Sequence, residues 1–414
     1  MTILGKVIDQ HAEDASFLWL LRDAAVRSPH YDLEDLVKLD RRVSAHIDGL
    51  VIAGDHGWKI CAAALKLGEA SEVFTAGVLA LESRDDARLQ EVFATAVAEP
   101  PTVRGLVSAF GWASAESLRG TVRGLLSSPV SFRRRIGIAA CAVHRVDPGN
   151  ALREAILYGD EALQSRALRT VGELGRTDLD AALQMHFHAE DAACRFWAAW
   201  SAVMTGNRHE AMELLSSAAT MDMSFRIGAM QVLLRVLKPE DARNWLKAFY
   251  AKVNSLRDVL VGIGAAGDPS YVPWLIKHMD SAESARVAGE SFAMISGVDL
   301  SYNDLEGERP DGFEAGPTEN PEDDAVALDP DEGLPWPNSQ RIQKWWDANK
   351  DGFVAGQRYL VGKPVSAEHC QQVLRTGYQR QRNAAALELA LMTPAAPLYE
   401  TRAPGFRQHQ QLKG

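Results

Sequence analysis

Apolar residues recur along most of the chain with the 3.6-residue period of a helix buried on one face. One line, "FRRRIGIAACAVHRVDPG" at 132–149, sets the pattern. It returns as "LQSRALRTVGELGRTD", "AACRFWAAWSAVMTGN", "MSFRIGAMQVLLRVLKP", "NSLRDVLVGIGAAGDP" and "ESARVAGESFAMISGVD", and earlier as "PTVRGLVSAFGWAS". The copies share one arginine position, held by Arg104, Arg135, Arg166, Arg195, Arg226, Arg257 and Arg286, spaced by 31, 31, 29, 31, 31 and 29 residues. "SEVFTAGVLALES" keeps the register one step earlier, with Val73 in place of arginine. Eight residues after each of these positions stand Leu81, Trp112, Val143, Leu174, Val203, Leu234, Ala265 and Met294, all apolar. Gly or Pro follows within a few residues (Pro148, Gly175, Gly206, Pro239, Gly267, Gly297) and ends the helix.

A second, more amphipathic segment fills each period, as in "NALREAILY", "HEAMELLSS", "EDARNWLKAFY" and "SYVPWLIKHM". Two short antiparallel helices per repeat cannot bury their apolar faces alone, so the pairs should stack. The expected fold is all-α: an α-solenoid of short, about 31-residue HEAT-like two-helix repeats, with an acidic Pro-rich linker and a small C-terminal helical and aromatic unit. The pattern resembles the short HEAT-like repeats of bilin lyases and many bacterial scaffold proteins. The expected parts are an N-terminal helical cap over 1–69, with "ASFLWLLRDAAV" buried, repeats over 70–298, a linker over 299–338 and a C-terminal unit over 339–414. The arginine column is read as structural, tying neighbouring turns together by hydrogen bonds.

Charge sharpens this division. The net charge is −11, yet residues 299–332 hold thirteen acids against Arg309 alone, while 333–414 hold eleven bases and five acids. An acidic chain is poorly suited to nucleic acid, which is bound by displacing counterions with Lys and Arg. Cys61, Cys141, Cys194 and Cys370 stand far apart without a CxxC, as expected of buried thiols in a reducing compartment. The N-terminus has acids before a run of only five apolar residues, unlike a signal peptide, and no stretch approaches the roughly 20 apolar residues of a membrane span. A cytoplasmic protein is expected.

Three motifs look chemical and fail on context. "GIGAAG" at 262–267 spells a dinucleotide fingerprint, but the register puts it late in a helix, where its glycines serve packing and termination. "DANKDGFVAGQR" at 347–358 begins like a calcium loop, but position twelve is Arg358 rather than a bidentate Glu. His186 and His188, two apart on an expected helix, point to different faces. No metal, cofactor or catalytic residue is assigned, and the chain is read as a non-enzyme.

The stretch 299–338 is rich in acids and interrupted by Pro310, Pro317, Pro321, Pro330, Pro335 and Pro337, so it reads as an extended linker. It could be a solvated tether, could lie against the basic tail, or could dock on a basic partner. In the last case Glu322, Asp323, Asp324, Asp329, Asp331 and Glu332 would supply charge and Trp336 an anchor. Beyond it, Trp345, Trp346, Phe353, Tyr359 and Leu360 suggest an aromatic cluster. Residues 366–393 read as one helix capped by Ser366 with an apolar finish, and the end as a partly ordered basic tail.

Several stretches, "QHAEDASFLWLLRDAAVRSPHY", "DDAACRFWAAWSAV", "GFEAGPTENPEDDAVALDPDEGLPWP" and "LRTGYQRQRNAAALELAL", make the chain similar to a bacterial family typically encoded beside type VI secretion spike proteins and their effector-associated adaptors. The resemblance implies a helper that loads effectors onto the spike. The expected function is therefore a protein-binding scaffold, with a spike, effector or adaptor protein as partner. An immunity protein that masks a toxin, and a bilin-lyase-like enzyme, are the alternatives.

Overall fold

The structure, a computed structural model, describes residues 5–316 and 329–413. Among these the regular structure is helical, apart from the two-residue antiparallel pair Tyr359–Leu360 with Lys363–Pro364 and one bridge between Glu306 and Pro337. Contacts run mainly between helices that are near in sequence. The chain divides into two compact units, Met1–Arg208 with Thr393–Gly414, and His209–Met392. This departs from the expected boundaries at 69, 298 and 338. The helices before residue 208 and the chain's end form unit 1, while the helices from His209 on, together with the aromatic segment, form unit 2.

In unit 1 the helices Ser131–Val143, Glu161–Leu174 and Ala192–Met204 carry Arg135, Arg166 and Arg195 near their starts and pack in succession. In unit 2 the same holds for Met223–Val236, Leu256–Ala266 and Ala282–Ser296 with Arg226, Arg257 and Arg286. Short polar residues stop the preceding loops by accepting a backbone N–H: Asp160 from Leu163, Asp191 from Cys194, Asp222 from Ser224 and Ser255 from Asp258. The packing interface uses one device in both units. Ser201 donates to Leu168 O at 2.6 Å, and Ser291 donates to Leu260 O at 2.7 Å. The facing positions are Gly172 and Gly264, where an added Cβ would meet those serines. Small residues there let two helix backbones close up. Gly262 meets Met230 and Leu246, and Gly267 ends the helix in the left-handed conformation with φ 71°, so "GIGAAG" is a packing and stop signal.

Several expectations need correction. The expected helix over 366–393 is two, Ala367–Thr376 and Gln379–Met392. The break falls at Gly377, whose backbone is extended, and buried Arg382 caps the first helix by donating from Nε to Leu374 O at 2.7 Å. His186 and His188 lie in the turn after the helix Asp180–Gln184 rather than on a helix. Within "ASFLWLLRDAAV", Leu18, Trp19, Arg22 and Ala25 are buried while Phe17, Leu20 and Leu21 are exposed, as one face of Gly5–Ala25 requires. The aromatic cluster forms from Trp346, Phe353 and Tyr359, with ring centroids 5.2 and 5.1 Å apart, but Trp345 turns instead to Phe292.

The last residues are not a loose tail. Glu400, Thr401, Ala403 and Gln408 are buried in unit 1. Leu398 N donates to Glu173 O at 2.9 Å, Gly405 N donates to Asp40 Oδ2 at 2.5 Å, and Phe406 meets the Trp112 ring edge-on. Their charge misled the sequence reading, because Glu400 and Arg402 pair with each other and Glu400 also pairs with Arg145, rather than facing water alone.

Candidate functional site

The arginine column does not serve one purpose along its length. Arg226, on the helix Met223–Val236, donates to Asp258 of the helix Leu256–Ala266 at 3.0 Å. Arg195 donates to the carbonyls of Ala189 and Glu190 in its own preceding loop. Arg104 pairs with Asp23 of the first helix and lies over the Trp19 ring. The remaining four fall into two sites, one in each unit.

In unit 2 the column is covered by the acidic stretch. Arg257 donates from Nη1 to Asp331 Oδ2 at 2.5 Å and from Nη2 to Asp331 Oδ1 at 2.6 Å, a two-pronged grip that matches the planar guanidinium fork. Arg286 reaches Asp329 at 2.7 Å and donates to the Asp331 carbonyl at 3.1 Å. Its guanidinium lies 4.5 Å from the Trp336 ring centre and 5.4 Å from that of Phe313. Leu300, Leu305, Leu334 and Pro337 are buried in this segment, and Gly307 N donates to Trp336 O while Asn338 N donates to Leu305 O. The described flanks of the 299–338 stretch are therefore packed segments, a correction to the linker reading. Asp331 is buried, Asp329 and Trp336 are half-buried, and Glu332 is exposed. Glu322, Asp323 and Asp324 lie outside the described residues. Burial raises the Asp329 carboxyl, but hydrogen bonding from Arg286 and the Asp331 N–H, with the charges of Arg286 and Arg257, outweighs it and holds the group below its ordinary value.

In unit 1, Arg104, Arg135 and Arg166 line one cavity of about 500 Å³. Seven guanidiniums border it against two carboxylates, Asp23 and Glu400. Arg166 donates to Glu173 at 2.8 Å, and Arg169 donates to the other oxygen of the same group at 2.8 Å. Arg166 Nη1 is buried without a partner among the described residues. Arg135 makes no hydrogen bond or ion pair to a described residue; burial lowers its guanidinium, and the Arg166 charge lowers it further against a weaker pull from Asp160. Apolar walls complete the cavity, from Val107, Trp112, Ile136 and Val143.

Behind it sit two buried acids. Burial pushes Glu173 up, yet Arg166, Arg169 and Arg145 together hold it far below the ordinary carboxylate range. Burial opposes ionisation of Glu400 too, and Arg402 and Arg145 bring it down to about 2. Both acids are anionic at neutral pH and serve to hold the arginines in place.

The sequence reading singled out the column but not Arg169, Glu173, Glu400 or Arg402. Arg169 and Glu173 stand three and seven residues after Arg166, on its side of the helix, which is a local signal. Glu400 and Arg402 come from more than two hundred residues away and carry no local signal. Arg358, the anomaly of the apparent calcium loop, pairs with buried Glu388 and donates to Arg235 O at 2.5 Å. Asp347, the loop's first position, lies instead on the helix Ser339–Asn349 beside Gln343 and Lys350.

Comparison with known proteins returns no match: no family model fits the chain, and no curated protein or solved structure is detectably similar. Among the described residues no helix is long and apolar enough to cross a membrane.

Proposed function

We propose that the chain is an α-solenoid of short HEAT-like repeats acting as a non-enzymatic, protein-binding scaffold of the bacterial cytoplasm. The carrying observation is the seating of Asp329, Asp331 and Trp336 on Arg257 and Arg286, an acidic peptide held by the repeat column. Recurrent arginines on successive helices offer regularly spaced recognition points, as stacked repeats do generally. The partner class is a spike, effector or adaptor of type VI secretion, the class implied by the sequence resemblance.

The test is capture with the full chain from a host that carries such a system, followed by reconstitution from purified components. A spike, effector or adaptor that co-elutes with the chain as a defined complex on size-exclusion chromatography supports the reading. Purified spike, effector and adaptor proteins that all elute separately from the chain contradict it.

A further inference from the structure

We propose that the unit 1 cavity is a receptor for an acidic peptide segment. Its carboxylates would seat on Arg135 and Arg166, and a neighbouring apolar or aromatic residue would rest against Trp112 and Val143. The proposal rests on the scaffold reading and gives it a site and a ligand chemistry.

Four observations carry it. First, the Arg166 Nη1 donor is buried and unused, and the half-buried Arg135 beside it makes no hydrogen bond or ion pair to a described residue. A buried donor is normally satisfied, and an exception such as Arg166 Nη1 needs a cause. Second, seven arginines line the cavity, and the six that are paired share only four carboxylates, Asp23, Asp40, Glu173 and Glu400, which leaves an excess of positive charge. Like charges repel, and a bound anion relieves that repulsion. Third, the local sequence works against helix stability. Arg133, Arg134 and Arg135 fall within the first five residues of Ser131–Val143, whose first turn has no acid, where the helix dipole disfavours cations. Fourth, the chain contains its own example. Arg257 and Arg286, successive members of the same column, receive Asp331, Asp329 and the Trp336 ring. Arg135 and Arg166 are likewise successive members, and the cavity lies before them. The apolar walls favour a peptide over a bare inorganic anion, which would leave them unused, and the volume lies in the usual ligand range of roughly 300–1,000 Å³.

The probe is a labelled peptide copying Asp329–Asn338, DPDEGLPWPN, titrated into the full chain at low salt with fluorescence anisotropy as readout. Saturable binding is expected, weakened about tenfold or more by Arg135→Glu and by Asp→Asn changes at both leading acids of the peptide. Amide exchange should show new protection on Ser131–Val143 and Glu161–Leu174. Arg135→Glu should fold normally, since no described ion pair is lost; Arg135→Gln serves as the second variant. The proposal is overturned by no saturable binding, by binding indifferent to both Arg135 variants, or by protection on Leu256–Ala266 instead. Displacement of the peptide by equimolar inorganic phosphate would overturn the peptide class in favour of a simple oxyanion site. The scaffold reading is judged separately: a secretion partner that binds Arg135→Glu unchanged leaves it standing while this site falls.

Discussion

Arg257 holds Asp331 with two hydrogen bonds, Nη1 to Oδ2 at 2.5 Å and Nη2 to Oδ1 at 2.6 Å, across 74 residues of sequence. The acid is buried and the arginine partly exposed, so the pair differs from a surface ion pair of negligible worth. It joins a stretch rich in prolines and acids to the helix Leu256–Ala266.

A double-mutant cycle measures that bond. Arg257→Ala and Asp331→Ala should each destabilise unit 2 by about 1–3 kcal/mol in urea titrations. The double variant should cost clearly less than their sum, with a coupling of about 0.5–3 kcal/mol. Additive losses would mean that the two side chains do not act together.

The two buried acids of unit 1 set a pH dependence. Glu173 and Glu400 both lie below their ordinary value of 4.5 in the folded chain, Glu400 at about 2. A depressed folded value stabilises above the unfolded value and loses that contribution as pH falls through the folded one. Stability should therefore be level from pH 7 to about 5 and fall steadily from about 4.5 towards 2. Glu400→Gln should flatten part of that fall and, by leaving Arg145 and Arg402 without their carboxylate, cost about 3–5 kcal/mol at neutral pH.

Glycines at left-handed positions separate backbone strain from crowding. Gly68 is left-handed with φ 67° and only the flexible Glu99 side chain near an added Cβ, whereas at Gly267, φ 71°, that atom would strike Tyr359 O. Gly68→Ala should cost about 1–2 kcal/mol, the strain alone. Gly267→Ala should cost more, and added dinucleotide should not restore it. Equal losses in thermal or urea unfolding would contradict the close approach of the Tyr359 backbone.

Arg358 tests the calcium-like stretch. Arg358→Glu supplies the carboxylate missing from position twelve, yet it places an acid against buried Glu388. The variant should lose about 3–5 kcal/mol, and calcium should not recover it in a thermal shift assay. Recovery by calcium at micromolar concentration would mean that the stretch can form a metal loop after all.

The helices and their register were legible because burial leaves a periodic mark: Leu81, Val203 and Leu234 are buried where the column places them, although Val143 and Met294 are only half-buried. The cap at Ser366 was equally local, its side chain accepting from His369 N at 3.2 Å. The acidic stretch was misjudged because composition counts charge without its partners. Asp329 and Asp331 look solvated until Arg257 and Arg286 are brought to them by the fold. The same holds for Glu400 and Arg402, whose place beside Arg145 depends on the chain returning to unit 1 after residue 392. Gly377 was passed over because the helical pattern resumes after it, with no proline to mark the break.

Amide hydrogen exchange across 329–338 tests the central claim most directly, in the wild-type chain and in Arg257→Ala/Arg286→Ala. Within the docked segment, Leu334 N donates to Asp331 O at 2.9 Å and Asn338 N donates to Leu305 O at 2.8 Å. Docking on the column predicts slow exchange at Leu334 and Asn338 in the wild type and exchange at least about tenfold faster in the double variant. Exchange at free-chain rates in the wild type would mean that the acidic stretch is a tether and that the column does not hold it.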